Sequence, residues 1–195
     1  MKLGVTGGIG SGKTSVCRMF NVLGIPVFSA DPEAQKIMNE DDRIKKGINK
    51  IAGKDVYHGG RLDRMALASL IFNDSESLRK VNALVHPVVF DHFLQWAENQ
   101  TTPYVIMEAA ILFESGASKL VDRVATIVAP LEERISRVTR RNQLTREQVM
   151  ERIRNQMTDE ERIKRSDYVI SNSENEMIIP VILQIHEDLL THLNA

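Results

Sequence analysis

An α/β fold is predicted for this chain of 195 residues, a five-stranded parallel sheet flanked by helices. Three observations predict it. Short apolar segments of strand length recur along the sequence and alternate with segments of helical period. A glycine-rich octapeptide, Gly7-Gly8-Ile9-Gly10-Ser11-Gly12-Lys13-Thr14, stands between the first strand and the first helix. A mostly helical stretch, residues 33–100, separates the second strand from the third and exceeds an ordinary crossover.

The first strand is Lys2-Leu3-Gly4-Val5-Thr6. The octapeptide after it fits G-x-x-x-x-G-K-[ST], the phosphate-binding P-loop. Glycines let the backbone curl into a nest whose N–H groups face an anion. Lys13 reaches the outer phosphates, and the Thr14 hydroxyl is placed to ligate Mg²⁺. In the following helix Val16, Met19, Phe20 and Leu23 share one face, and Gly24 is placed to close it.

Ile25-Pro26-Val27-Phe28 is the second strand, ending at Ser29-Ala30-Asp31-Pro32. A strand, a helix and another strand imply a right-handed crossover, with ligands at the carboxyl ends. Asp31 occupies such an end, on the P-loop edge. It is a candidate general base, and Asp before Pro-Glu also makes a good helix start. In the helical stretch Ile44, Ile48 and Ile51 share a face, as do Leu67, Leu70 and Ile71 with Phe72 beside them. Asp74 can cap the next helix, which His86-Pro87 is expected to interrupt. Gly59-Gly60-Arg61-Leu62-Asp63-Arg64 places two cations near a turn.

The third strand is Pro103 to Met107. Glu108 ends it, where a carboxylate can hold Mg²⁺ through water. Arg123 to Val128 is the fourth strand. An arginine-rich stretch follows, with Arg134, Arg137 and Arg141 on one helix face. Thr145-x-x-Gln148 and Thr158-x-x-Glu161 are capping-box patterns that predict two short helices. After a P-loop sheet, such a stretch can form a lid that brings guanidinium groups onto phosphate. Arg137 and Arg141 are the expected inward pair. Asp167 to Asn172 is the fifth strand with its exit loop, and a last helix spans about residues 176–193.

Composition narrows the function. The net charge of −1 gives no general pull toward nucleic acid or membrane. No apolar run approaches a membrane span. The first strand begins at once, so no leader is expected. The lone Cys17 cannot form an intrachain disulfide, which fits a reducing, cytoplasmic setting. It is expected to pack in or near the core. A single Cys with scattered His leaves little for zinc. The guanine signature N-K-x-D has no complete match, since Asn49-Lys50-Ile51-Ala52 lacks the Asp. Small sheet, helical insertion and arginine lid together are the plan of a P-loop small-molecule kinase using ATP and Mg²⁺.

Taken in order, several motifs resemble the dephospho-CoA kinase family over nearly the whole chain. Val5 to Thr14 looks like its opening, and Ser29-Ala30-Asp31 resembles its D-A-D motif. Leu62-Asp63-Arg64 through Leu70-Ile71-Phe72, and Asn82-Ala83-Leu84-Val85-His86-Pro87, resemble its insertion. Ile111-Leu112-Phe113-Glu114 resembles the end of P-L-L-F-E. Arg137-x-x-x-Arg141, Arg152-x-x-x-Gln156 and Asp167 to Asn172 resemble its lid and final strand. Three positions depart from the pattern: Ser29 for the first Asp of D-A-D, Ala110 for the Pro, and Glu108 for a less polar residue.

The resemblance implies transfer of the ATP γ-phosphate to the ribose 3′-hydroxyl of dephospho-CoA, giving CoA and ADP. It marks Lys13, Asp31, Arg137 and Arg141 as catalytic. Gly8, Ile9, Gly10, Ser11, Gly12, Lys13, Thr14, Ser15 and Asn172 would bind the nucleotide. Asp31, Arg64 and His86 would bind the acceptor. The P-loop motif and the strand-end carboxylate, read from the residues themselves, add Thr14 and Glu108 as the metal-binding pair. One kinase unit over residues 1–195 is expected: core 1–31, 101–137 and 166–195, helical acceptor-binding insertion 32–100, and lid 138–165. The expected partner is a small-molecule substrate, without nucleic acid, membrane or obligatory protein partner. Two rivals stand beside this: a kinase for another small acceptor such as a nucleoside or nucleotide, and a nucleotide-binding regulatory module.

Overall fold

A computed structural model describes residues 1–192, with residues 70–73 described by their backbone alone. The side chains of Leu70, Ile71 and Phe72, and the predicted helix end at 193, therefore lie outside the described residues. The chain divides into two compact units: Met1–Ser29 with Asn99–Ala195, and Ala30–Glu98.

The first unit is built on a parallel sheet. Its strands, among the described residues, are β1 (Lys2–Gly7), β2 (Val27–Ser29), β5 (Val105–Glu108), β6 (Arg123–Val128) and β7 (Tyr168–Ser171), in the spatial order β2-β5-β1-β6-β7. Every pairing is parallel, so each connection is a crossover. β1 lies at the centre, and Leu3 to Gly7 are all buried, as a strand paired on both sides in a parallel sheet requires. Helix α1 (Lys13–Val22) buries Val16, Cys17 and Phe20, and ends at Leu23 with Gly24 just beyond. Helix α9 (Ile178–His192) buries Ile182, Ile185 and Leu189. Both join Leu3, Val5, Ile106 and Ile127 in one core. Each fully buried side chain of this size contributes roughly 1.5–3 kcal/mol.

The arginine-rich stretch forms α6 (Leu131–Asn142), α7 (Arg146–Arg154) and α8 (Asp159–Lys164). Both capping boxes form, at Thr145 with Gln148 and at Thr158 with Glu161. Ile135, Val138 and Val149 bury together and hold α7 against α6. Glu132 accepts two hydrogen bonds from Arg146, both at 2.6 Å, which tie the same pair.

The second unit holds α2 (Ala30–Glu40), α3 (Asp42–Ala52), α4 (Arg64–Asn73) and α5 (Ser75–Glu98). Asp41, Asp63 and Asp74 accept backbone N–H groups at the starts of α3, α4 and α5. Two expectations need correction. The helical stretch contains a small hairpin, β3 (Tyr57–His58) and β4 (Arg61–Leu62), turned by Gly59-Gly60. Its two-residue strands are too short to show a period. The other concerns Pro87, which does not interrupt α5. Its ring is exposed, while Val81, Val85, Val89 and Phe93 bury along one face on either side of it. A proline inside a helix costs about 3 kcal/mol. Four buried apolar side chains outweigh that.

Candidate active site

The P-loop turns from the carboxyl end of β1 into α1, and it is closely enclosed. A Cβ added at Gly8 would stand 2.1 Å from Arg134 Nη2, and one at Gly12 2.0 Å from Asn172 Nδ2. Gly12 also takes φ of 98°, a left-handed conformation that glycine adopts without strain. Any side chain at these positions would displace the groups that frame the loop.

Several polar groups converge there. The Lys13 ammonium donates to the Gly7 carbonyl at 2.9 Å and the Gly8 carbonyl at 3.4 Å, so it lies folded along the loop. Asn172 donates from Nδ2 to the Ser11 carbonyl at 2.7 Å. Arg137 donates to the Asn172 carbonyl at 3.0 Å and to Glu133 at 2.7 Å. The Ser11 hydroxyl and Arg137 Nη1 are buried without a hydrogen-bond partner among the described residues. Buried polar atoms of this kind normally find a partner. Two orphans beside a phosphate-type nest fit a site shaped for an anionic ligand.

Glu108 sits at the carboxyl end of β5, next to β1. Thr14 donates to its Oε1 at 2.8 Å and Ser29 to its Oε2 at 2.9 Å. Two of the three departures from the family pattern are thus bonded to each other: the serine donates to the carboxylate, where an aspartate would repel it. The same carboxylate, after burial, raises the Cys17 thiol far above its ordinary value. Cys17 is therefore an inert core side chain, as expected. No group of three or more His, Cys, Asp or Glu able to hold a metal occurs among the described residues. Mg²⁺ held through phosphates needs no such group, and a hydroxyl beside a carboxylate fits it.

The remaining candidates are placed as follows. Gly10 lies within the loop, and Ser15 is exposed in the first turn of α1. Arg141 is exposed and donates to Asn142, so in this structure it does not share the inward position of Arg137. Asp31, Arg64 and His86 belong to the second unit. Asp31 lies in the first turn of α2 and does not cap it, because the helix already includes Ala30. It is exposed and follows Ser29 by two residues. Arg64 is exposed at the start of α4. His86 is half-buried in α5, stacked on Phe90, and burial lowers its pKa.

Arg134 escaped the sequence reading as a site residue, although it was counted in the run. It is 5% exposed, donates to the Ile9 carbonyl at 3.0 Å, and pairs with Asp159 at 2.8 Å. Burial lowers its pKa, while Asp159 opposes that shift. The available signal was its spacing: Arg134 is adjacent to Ile135 and four residues before Val138, on the apolar side of α6.

A P-loop at the carboxyl edge of a parallel sheet, with a hydroxyl–carboxylate pair and arginines from a following helix, defines a P-loop small-molecule kinase. The sequence profile of the dephospho-CoA kinases matches residues 1–177. A relative named dephospho-CoA kinase from Bacteroides fragilis is 41% identical over 186 residues, 95% of this chain and 91% of that one. One from Salinibacter ruber is 40% identical over 87% of each chain. The chain therefore belongs to the dephospho-CoA kinase family. Among solved structures, a Thermus thermophilus protein designated TT1252 superposes with TM-score 0.84 at 34% identity, covering 99% of this chain and 97% of that one. Dephospho-CoA kinase from Campylobacter jejuni gives TM-score 0.70 at 26% identity, covering 98% and 99%. A shikimate kinase from Acinetobacter baumannii, 17% identical with TM-score 0.54, shares the fold.

Proposed function

We propose that this chain carries out its family's reaction, transfer of the ATP γ-phosphate to the ribose 3′-hydroxyl of dephospho-CoA, with the residues named above in defined roles. Family membership supports the substrate. The observation that carries the roles is the meeting of Lys13, the loop carbonyls, Asn172 and Arg137 around one P-loop. Phosphoryl transfer needs positioning and charge neutralisation more than covalent help.

In this assignment Gly8 to Ser15 and Asn172 hold the nucleotide phosphates, and Lys13, steadied by its two loop carbonyls, neutralises the outer phosphates with its remaining donor. Thr14 and Glu108 hold hydrated Mg²⁺, which when bound offsets the charge on the phosphates. Asp31 accepts the proton of the attacking hydroxyl and orients its oxygen. Arg64 and His86 line the acceptor site of an insertion, residues 32–100, whose independence is supported by the compactness of Ala30–Glu98. Residues 138–165 act as a lid, and because Arg137 and Arg141 lie four residues apart on the one helix α6, its closure would bring Arg141 toward the phosphates on the face that Arg137 already shares. No helix among the described residues is long and apolar enough to cross a membrane, and a cytoplasmic small-molecule enzyme is the setting that fits.

The test is direct. Purified protein with ATP, Mg²⁺ and dephospho-CoA should yield CoA by mass, and chelation of Mg²⁺ should stop it. Transfer to a nucleoside or nucleotide instead, with dephospho-CoA untouched, would favour the other kinase reading. ATP binding with no transfer to any acceptor would favour a regulatory module.

The Arg137 assignment has its own test. Arg137→Ala should lower kcat by roughly 10²-fold at saturating ATP. This is less than the 10³–10⁵ of a dedicated arginine finger, because Glu133 shares its charge. ATP affinity should change much less, since contacts to the transferring group strengthen on lid closure. Weak ATP binding with normal turnover at saturation would make Arg137 a ground-state clamp.

A further inference from the structure

Ile9, the third residue of the P-loop motif, is held at both ends of its backbone. Its N–H donates to Gln156 Oε1 at 2.8 Å, and its carbonyl accepts from Arg134 Nε at 3.0 Å. Its side chain packs against the cluster of Ile135, Val138 and Val149. The two partners are themselves connected. Arg134 Nη1 pairs with Asp159 at 2.8 Å, three residues beyond Gln156. Asp159 also takes Arg162 at 3.0 Å, and Arg162 is 1% exposed. Glu114 accepts the Met157 N–H at 3.2 Å. A ring of bonds thus leaves Ile9 through Arg134 and Asp159 and returns through Gln156.

The ring bears on Lys13 through one peptide plane. A peptide is planar and trans, so its N–H and C=O point in opposite directions. Fixing the Ile9 N–H on Gln156 aims the Gly8 carbonyl the other way. That carbonyl meets the Ser11 N–H at 3.2 Å and the Lys13 ammonium at 3.4 Å. Gly8 has no side chain to resist rotation about its own bonds. Without the acceptor at Gln156, the long Ser11 N–H bond is the remaining backbone tie on the Gly8–Ile9 peptide, which can then tilt and shift that carbonyl away from Lys13.

We propose that Gln156 is a positioning residue for phosphoryl transfer: it latches the Gly8–Ile9 peptide so that the Gly8 carbonyl steers the Lys13 ammonium. The inference rests on the assignment of Lys13 to the outer phosphates. It gives a task to the Gln of Arg152-x-x-x-Gln156 that the reaction scheme above leaves unused. The segment after α7 then acts on the P-loop through the backbone, without touching the nucleotide.

Gln156→Met keeps the length of the side chain and removes the acceptor. Gln156 is only half-buried, so the fold should survive. One lost hydrogen bond predicts a fall in kcat of roughly tenfold. The Kd for ADP should stay within about threefold of the parent, since the amides at the start of α1 are untouched. In a ¹⁵N-labelled protein the Ile9 amide signal should shift and its proton should exchange roughly tenfold faster. A normal kcat, or a lowered kcat with the Ile9 amide unmoved, overturns the proposal. So does a lower Tm with a normal rate per folded molecule, which is what a purely structural tie would give. Lys13→Ala measured alongside separates the two levels. An active Lys13→Ala removes the assignment on which the inference rests, whereas an inactive Lys13→Ala beside a fully active Gln156→Met removes the inference alone.

Discussion

Lys13→Ala is expected to lower kcat with dephospho-CoA by roughly 10³-fold or more while the protein remains folded. Removing one preorganised donor from a developing charge already costs about 10²–10³, and here a full positive charge goes with it. The fold should tolerate the change. Lys13 is the first residue of α1, partly exposed, and it donates to two loop carbonyls. Alanine is the best helix former at that position. Binding of ATP should weaken far less than turnover, because the loop N–H groups and the helix N-terminus keep their hold on the phosphates. Circular dichroism and Tm establish the fold, and single-turnover rates establish the chemistry. Near-normal turnover in this variant would remove the P-loop from the mechanism.

The P-loop was legible in the sequence because its chemistry belongs to the backbone. Glycines where the chain must turn tightly, then a lysine and a hydroxyl, are the whole requirement, and they are contiguous. The same holds for the capping boxes at Thr145 and Thr158, where donor and acceptor lie three residues apart. Glu108 was legible by its place at a strand end, but its partners were not. Thr14 and Ser29 reach it only because β1 and β2 both pair with β5.

What escaped was set by tertiary packing. Pro87 breaks a local rule, and the rule failed because a buried stripe of Val81, Val85, Val89 and Phe93 runs past it. Arg134 and Arg162 belong to a run whose usual meaning is a solvated face. They are buried because Asp159 faces both of them, with Glu114 beside Arg162. Gln156 stood in a recognised motif, yet its bond spans 147 residues to Ile9. Local pattern carries no record of such a distance.

Asp31→Asn is expected to lower kcat by roughly 10²–10⁴-fold with ATP binding little changed, the range for loss of a positioned general base. The argument starts from the chain. β2 ends at Ser29, whose hydroxyl is bonded to Glu108, and two residues later the chain presents an exposed carboxylate in the first turn of α2. The carboxyl end of a parallel strand is where such folds place their chemistry. Asparagine keeps the size of aspartate and still accepts hydrogen bonds, but it cannot take the proton of an attacking hydroxyl. Its cost to folding is small. A negative charge in the first turn of a helix contributes about 0.3–1 kcal/mol through the dipole. For a chain of this length that is a fall in Tm of at most about 4 °C. The proton leaves late in a loose transition state, which places the expected loss toward the lower end of the range. Two measurements decide the matter: Tm, and the single-turnover rate with ATP and dephospho-CoA. A strongly destabilised variant whose folded fraction reacts at the parent rate would make Asp31 a determinant of the α2 start, and the base would then have to be sought elsewhere.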